Sequence, residues 1–228
     1  MASLTFDLST TPLRELNRYL HHELTDPDLH LHVKNPDGAH SIAVGVNSPI
    51  DIEIEGHVGY YAAGMNQQAR VTVHGNAGPG VAENMMSGRV HVKGFASVAA
   101  GATGQGGLLV IDGDASLRCG ISMKGIDIVV AGSVGDFSAF MAQAGTLIIC
   151  GDAGDALGDS IYEAVIYIRG LIKSLGADAH EEPMADADYT VVKELLTASG
   201  FGHDPKEFRR VASMRSLYHW NADANQEY

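Results

Sequence analysis

Seven glycines, Gly56, Gly75, Gly94, Gly113, Gly132, Gly151 and Gly170, follow one another at a spacing of nineteen residues without exception. Four residues before each stands an aliphatic side chain: Ile52, Val71, Val90, Leu109, Ile128, Leu147 and Ile166. Two residues before each stands another: Ile54, Val73, Val92, Ile111, Val130, Ile149 and Ile168. Hydrophobic residues make up 45% of the chain, so fourteen matches of fourteen have a chance probability on the order of one in 10⁵. A period of this kind is the mark of a repeat architecture.

Each unit reads as a short strand, aliphatic–x–aliphatic–x–Gly, whose alternation turns both aliphatics to one side. Three residues after each of the first six glycines stands a further small residue, Gly59, Gly78, Ser97, Ser116, Gly135 or Gly154. The strand glycine is expected to turn a sharp corner, since it alone carries no Cβ. A strand and corner of this size cannot bury its apolar side alone, but stacked coils share a continuous core. The predicted fold is therefore mainly β, a single-stranded right-handed parallel β-helix of about seven coils, stacked at roughly 4.8 Å. A left-handed hexapeptide helix would need an aliphatic at every sixth position, whereas here they cluster at one place in each circuit.

The ends differ in kind, and three segments are expected: an N-terminal helix and cap over 1–50, the β-helix over 51–172, and a C-terminal helical tail over 173–228. Thr11-Pro12 followed by Leu13, Leu16 and Leu20 predicts an amphipathic helix with proline at its first position. Asp26-Pro27, Asn35-Pro36 and Pro49 predict irregular strands over 26–50 that cap the first coil. Residues 188–199 read as a helix with Val191, Val192, Leu195 and Leu196 apolar. Asp204-Pro205-Lys206-Glu207 has the form of a capping box, opening another helix through Phe208, Val211, Met214 and Leu217. Tyr218 to Tyr228 shows no usable period. A terminal segment lying over the last coil would hide its open strand edge.

If the aliphatic pair points inward, the residues one and three before each glycine point outward. In the first three coils these are polar: Glu53 and Glu55, Thr72 and His74, His91 and Lys93. Further on, Val110, Val129, Ile148 and Tyr167 form an apolar ladder on the outside, which asks for a cover. Two covers are open, the chain's own C-terminal segment or a partner subunit, and the four residues are interface candidates on the second reading.

Candidate chemistry is sparse. His21, His22, His30 and His32 have no carboxylate or cysteine at ligand spacing, so they read as a solvated cap with no metal site. Arg70 and Arg89 beside His74 and Lys93 are suited to an anion, with simple solvation as the competing reading. Gln67, Gln105 and Gln143 occupy one position in alternate coils and read as structural stacking. The glycine-rich 101–107 is not followed by a GK[ST]–helix arrangement, so it is no phosphate loop. No nucleophile–base pairing is legible, so neither catalytic nor cofactor-binding residues are assigned.

Charge and cysteine content close off other classes. A net charge of −13 makes nucleic acid and anionic membrane poor partners. Cys119 and Cys150 are too few for a disulfide framework and read as buried free thiols. Met1 to Thr11 lacks a basic start and apolar run, and the greasy window 126–150 is broken by Asp127, Asp136 and glycines. The expectation is a cytoplasmic protein.

The repeat, with Gly75-Asn-Ala-Gly-Pro-Gly80 and Gly151-Asp-Ala-Gly154 among its turns, resembles the glutamate-synthase-like β-helix (GXGXG) family. That family includes the C-terminal domain of the glutamate synthase large subunit and the C subunit of formylmethanofuran dehydrogenase. Chain length, the stretch 158–170 and the tail from Glu207-Phe-Arg-Arg to Leu217-Tyr-His-Trp220 bring it nearest to the β-helix subunits of N-methylglutamate synthases. The resemblance implies a non-catalytic scaffold subunit in a hetero-oligomer with an amidotransferase-like subunit and a flavin-binding subunit. FMN and an iron–sulfur cluster are expected in the flavin subunit and no cofactor in this chain. The implied reaction joins methylamine to L-glutamate and releases ammonia. The alternatives are a glutamate synthase or formylmethanofuran-dehydrogenase-type complex, or a carbohydrate-acting β-helix enzyme.

Overall fold

The computed structural model describes residues 3–26 and 29–215. Nine strands lie parallel and in chain order within one sheet: β1 (Ser3–Asp7), β2 (His30–Lys34), β3 (Asp51–Glu55), β4 (Arg70–Val73), β5 (Arg89–Val92), β6 (Leu108–Ile111), β7 (Lys124–Val130), β8 (Ala144–Ile149) and β9 (Val165–Ile168). Register follows the sequence period, with Val71 against Val90 and Leu109 against Ile128. A second column of bridges, from Val58 through Ala77, Ala96, Ala115, Val134 and Ala153 to Ile172, runs along another side of the same coils. The architecture is a β-solenoid of about seven turns. All fourteen period aliphatics lie inside it, none more than 1% exposed.

All seven column glycines lie at bends where the coil leaves its strand, as the expected corner requires, but a left-handed backbone is not why glycine stands there. Of the seven, only Gly56 has a positive φ. The left-handed corner residues are others, such as Tyr61, Ala63 and Met65 in one coil and Phe137, Ala139 and Met141 in another. The glycines are instead stacked backbone on backbone. The Gly113 N–H donates to the Gly94 carbonyl at 2.9 Å and the Gly132 N–H to the Gly113 carbonyl at 3.1 Å. A Cβ on Gly132 would stand 2.8 Å from the Gly113 carbonyl oxygen. Beside this column a side-chain ladder continues the corner. His57 Nδ1 accepts from the Asn76 N–H, Asn76 Oδ1 from Phe95, Asp114 Oδ1 from Ser133, and Asp152 Oδ1 from Leu171.

At the N-terminus the sheet is longer than the period indicates. Within the stretch read as irregular, β2 is a regular rung whose Leu31 and Val33 sit buried against Ile52 and Ile54. Its register offset to β3 is twenty-one residues, as from Leu31 to Ile52, which removes it from the nineteen-residue count. Strands β1 and β2 are separated by α1 (Leu13–His22), and Pro12 occupies the helix's extended cap position instead of its first turn. Leu16 and Leu20 of α1 close the end of the core. Asn17 fixes the helix by donating to the Ser41 carbonyl and accepting from the Ala43 N–H.

At the other end, α2 (Asp186–Ser199) forms where a helix is expected, but the second tail helix does not. Asp204 caps only a 3-10 turn, Pro205–Glu207, after which the chain runs extended as β11 (Arg209–Ser213). This strand pairs antiparallel with β9, and β10 (Ala179–Glu182) pairs with it on the far side. A helix there would have left the polar edge of β9 open, so strand pairing overrides the local capping signal. Pro27, Leu217, Trp220 and the rest of 218–228 lie outside the described residues.

Candidate functional site

The outer face of the sheet divides into two halves of opposite chemistry. Over β7 to β9 the apolar ladder is covered by the chain's own tail. Val129, Ile148, Cys150 and Tyr167 form one cluster with Val192 and Leu196 of α2 and with Phe208. Val110, Val129 and Ile148 are fully buried and Tyr167 is 3% exposed, so all four interface candidates are enclosed within this chain. Of the two covers open to the sequence, the C-terminal segment is the one present.

A polar latch holds α2 down. Tyr167 donates from its hydroxyl to Asp188 Oδ1 at 2.6 Å, and the other oxygen of Asp188 accepts from the Ala185 N–H at the start of α2. Arg210 pairs with Asp188 at 3.2 Å and also with Glu182. Burial, then the Asp188 partner, raises the Tyr167 hydroxyl well above its ordinary pKa, so it stays a donor. At the other end α2 stops at Gly200 in the left-handed region, and Arg89 donates to the Ala198 carbonyl at 2.8 Å.

Asp127 sits on β7, and burial raises its pKa despite hydrogen bonds from Thr146. A carboxyl shifted up on folding is neutral in both states below its unfolded pKa, and its penalty appears as pH rises through both values. Asp127→Asn is therefore expected to raise the thermal midpoint at pH 7 and leave it unchanged near pH 3. Melts at the two values check the sign.

Over β2 to β5 the outer face is open and charged. His30 stands 3.9 Å from Asp51, His32 stands 4.0 Å from Glu55, and His74 is bonded to Glu53. His91 lies 2.7 Å from Asp112, which also holds Lys93 at 3.4 Å. Arg70 and Arg89 line a groove of about 720 Å³ with His30, Asp51, Glu53, Gln68 and Thr72. The structure thus brings together Arg70 and Arg89, while His74 and Lys93 are turned to carboxylates. His21 and His22 lie apart, at the end of α1, where His21 Nε2 meets the Val44 carbonyl at 2.7 Å. Among the described residues no group of three or more His, Cys, Asp or Glu is placed to hold a metal ion.

Gln67, Gln105 and Gln143 are all exposed. In the glycine-rich 101–107, a Cβ on Gly104 would meet Ile126 at 2.8 Å, so this turn packs on the core. Burial pushes the Cys119 thiol up to about 12 and the Cys150 thiol up to about 11. Cys119 lies in the solenoid core and Cys150 under α2. Two such thiols are not an iron–sulfur ligand set, which needs several converging cysteine ligands. No helix among the described residues is long and apolar enough to cross a membrane.

What sequence reasoning missed is the latch. Asp188 looks like an ordinary first-turn acid, and only the arrival of Tyr167 and Arg210 from elsewhere adds two partners to its local Ala185 N–H.

No family model matches the chain. Protein GlxC of Rhizobium meliloti (strain 1021) is 56% identical to it over 224 residues, which cover 97% of this chain and 98% of that protein. With that identity along nearly the whole of both, the chain belongs to the family of protein GlxC.

Proposed function

We propose that this chain is the non-catalytic scaffold subunit of a glutamate-synthase-like flavoenzyme complex, of the N-methylglutamate synthase type. The observation that carries the reading is the nineteen-residue glycine column, stacked coil on coil through the solenoid, on which the family resemblance rests. The relationship to protein GlxC is consistent with a glutamate-synthase-like family. In this reading the rod holds an amidotransferase-like subunit and an FMN- and iron–sulfur-bearing subunit in register. An amine released at one site then reaches the flavin site without escaping. Because Cys119 and Cys150 do not fit a cluster, this reading puts the iron–sulfur group in the flavin subunit.

The partner contact belongs on the turns and not on the enclosed ladder. Tyr61 and Phe137 share one column of exposed left-handed turn residues, and Met65 and Met141 share another. Phe137 is 43% and Met141 50% exposed. A native pull-down of the tagged chain, with mass spectrometry and an absorption spectrum, tests the assignment. Both partner subunits, flavin and iron–sulfur absorbance, and methylamine-dependent formation of N-methyl-L-glutamate are the expected result. Molybdenum or tungsten in the eluate would move the chain to a formylmethanofuran-type complex, and a colourless chain eluting alone would end the scaffold reading. Phe137→Asn with Met141→Asn is expected to reduce partner recovery at least roughly tenfold, as loss of aromatic anchors does. Its thermal midpoint should hold, because asparagine tolerates left-handed backbone. Undiminished recovery would place the contact elsewhere.

A further inference from the structure

Arg70 and Arg89 are register partners on adjacent strands β4 and β5. Their guanidinium groups therefore leave the same face of the sheet from backbones about 4.8 Å apart. Like charges directly opposite each other destabilise a sheet. Burial, then the Arg70 charge, disfavours the charged form of Arg89, with Asp112 offsetting them in part, yet the pair stands in an open groove of that face. The carboxylates around them are turned to other partners. Glu53 is bonded to His74, Asp112 to His91 and Lys93, and Asp51, although opposite Arg70 in register, makes its ion-pair contact with His30 at 3.9 Å. Arg89 spends one nitrogen on the Ala198 carbonyl. Among the described residues no ion pair or side-chain hydrogen bond engages Arg70.

The unmet requirement is a negative group between the two forks. Arginine presents paired N–H donors in the plane that a carboxylate or phosphate accepts. Gln68 and Thr72 add polar side chains to the same groove. Its size is that of sites for small ligands. The chain as a whole repels anions at −13, so an anion that settles here is chosen by the local pair and not by the general field. We propose that Arg70 and Arg89 together bind a small free oxyanion, carried as a carboxylate or phosphate group, in the groove over β3 to β5. The site stands independently of the scaffold reading.

The test is thermal unfolding of the full chain in sodium phosphate and in sodium succinate, each against sodium chloride at matched ionic strength. The wild-type midpoint should rise by roughly 3 °C at an anion concentration about tenfold above its Kd. A response to phosphate alone assigns a phosphate ligand, and a response to succinate assigns a carboxylate. Arg70→Gln should melt higher than wild type in chloride, because the repulsion is gone, and gain nothing from either anion. Arg118→Gln removes an exposed arginine on another turn and should keep the full response. A wild type indifferent to both anions overturns the site. So does an Arg70→Gln variant that still responds, or an Arg118→Gln variant that has lost its response.

Discussion

Replacing Ile148 by Asp is expected to destabilise the chain by about 4 kcal/mol or more, placing it among the severe substitutions. Ile148 is fully buried between the sheet and α2, in a cluster whose other members are Val129, Cys150, Tyr167, Val192, Leu196 and Phe208. A carboxylate there loses its hydration and gains no cation, and the isoleucine's own burial is lost as well. The same argument applies to Val129→Asp. Two measurements read the effect. Urea unfolding should show a lower midpoint, and the thiol pair should report where the structure opens. Cys150 lies under α2 and Cys119 inside the solenoid. A thiol reagent should therefore reach Cys150 first in the variant and Cys119 only with general unfolding, while both thiols of the wild type react slowly. An unchanged midpoint with an unreactive Cys150 would mean that α2 does not cover the ladder in solution.

Gly132→Ala should be nearly as damaging, at about 3 kcal/mol, although it adds one methyl group and the backbone there is not left-handed. The new Cβ would stand 2.8 Å from the Gly113 carbonyl oxygen and 2.9 Å from its carbon, both main-chain atoms. Overpacking against side chains is relieved by rotamer changes, but two stacked backbones have none to make. The coils would have to part, weakening the 3.1 Å bond from Gly132 to Gly113. Gly202→Ala is the control, since nothing lies within 4 Å of its Cβ position, and its midpoint should stay within about 0.5 kcal/mol of wild type. Equal midpoints for the two variants would show that the column is spaced more loosely than its hydrogen bonds require.

That contrast marks how far the repeat was legible. The nineteen-residue spacing identified the strand positions, the inward aliphatics and the solenoid fold by sequence alone. It identified the glycines and their bends too, but not the close backbone stacking that excludes a Cβ there. A corner that needs φ above zero and a coil that passes too close for a Cβ leave the same residue in the sequence. Only Gly56 combines its place in the column with a positive φ. The left-handed corners fell to alanine, serine, methionine and aromatic residues such as Ala63 and Phe137, where no composition rule would look. Likewise β2 escaped because its circuit is longer by two residues, although Leu31 and Val33 have the same alternation as every later strand.

On the outer face, the sequence showed the residues but not their company. Arg70 and Arg89 were visible as a pair because register follows the repeat. The apolar ladder of Val110, Val129, Ile148 and Tyr167 was visible for the same reason, together with its need for a cover. Which cover was not visible, because α2 lies only four residues beyond β10, and nothing in that short connection says where the helix folds back. The latch from Tyr167 to Asp188 and Arg210 decides it, from residues brought together across the tail.

The division is a physical one. A strict period sets register, and register repeats the same short-range contacts in every coil, so the amino-acid order alone determined the solenoid and its inward and outward faces. The ends of a solenoid have no neighbouring coil to copy. There β11 became a strand because the bare edge of β9 offered it hydrogen bonds, against a local signal for a helix. And α2 settled on the ladder because that was where its Val192 and Leu196 could leave water. Those choices depend on surfaces that exist only after the coils have stacked, and only the tertiary structure made them.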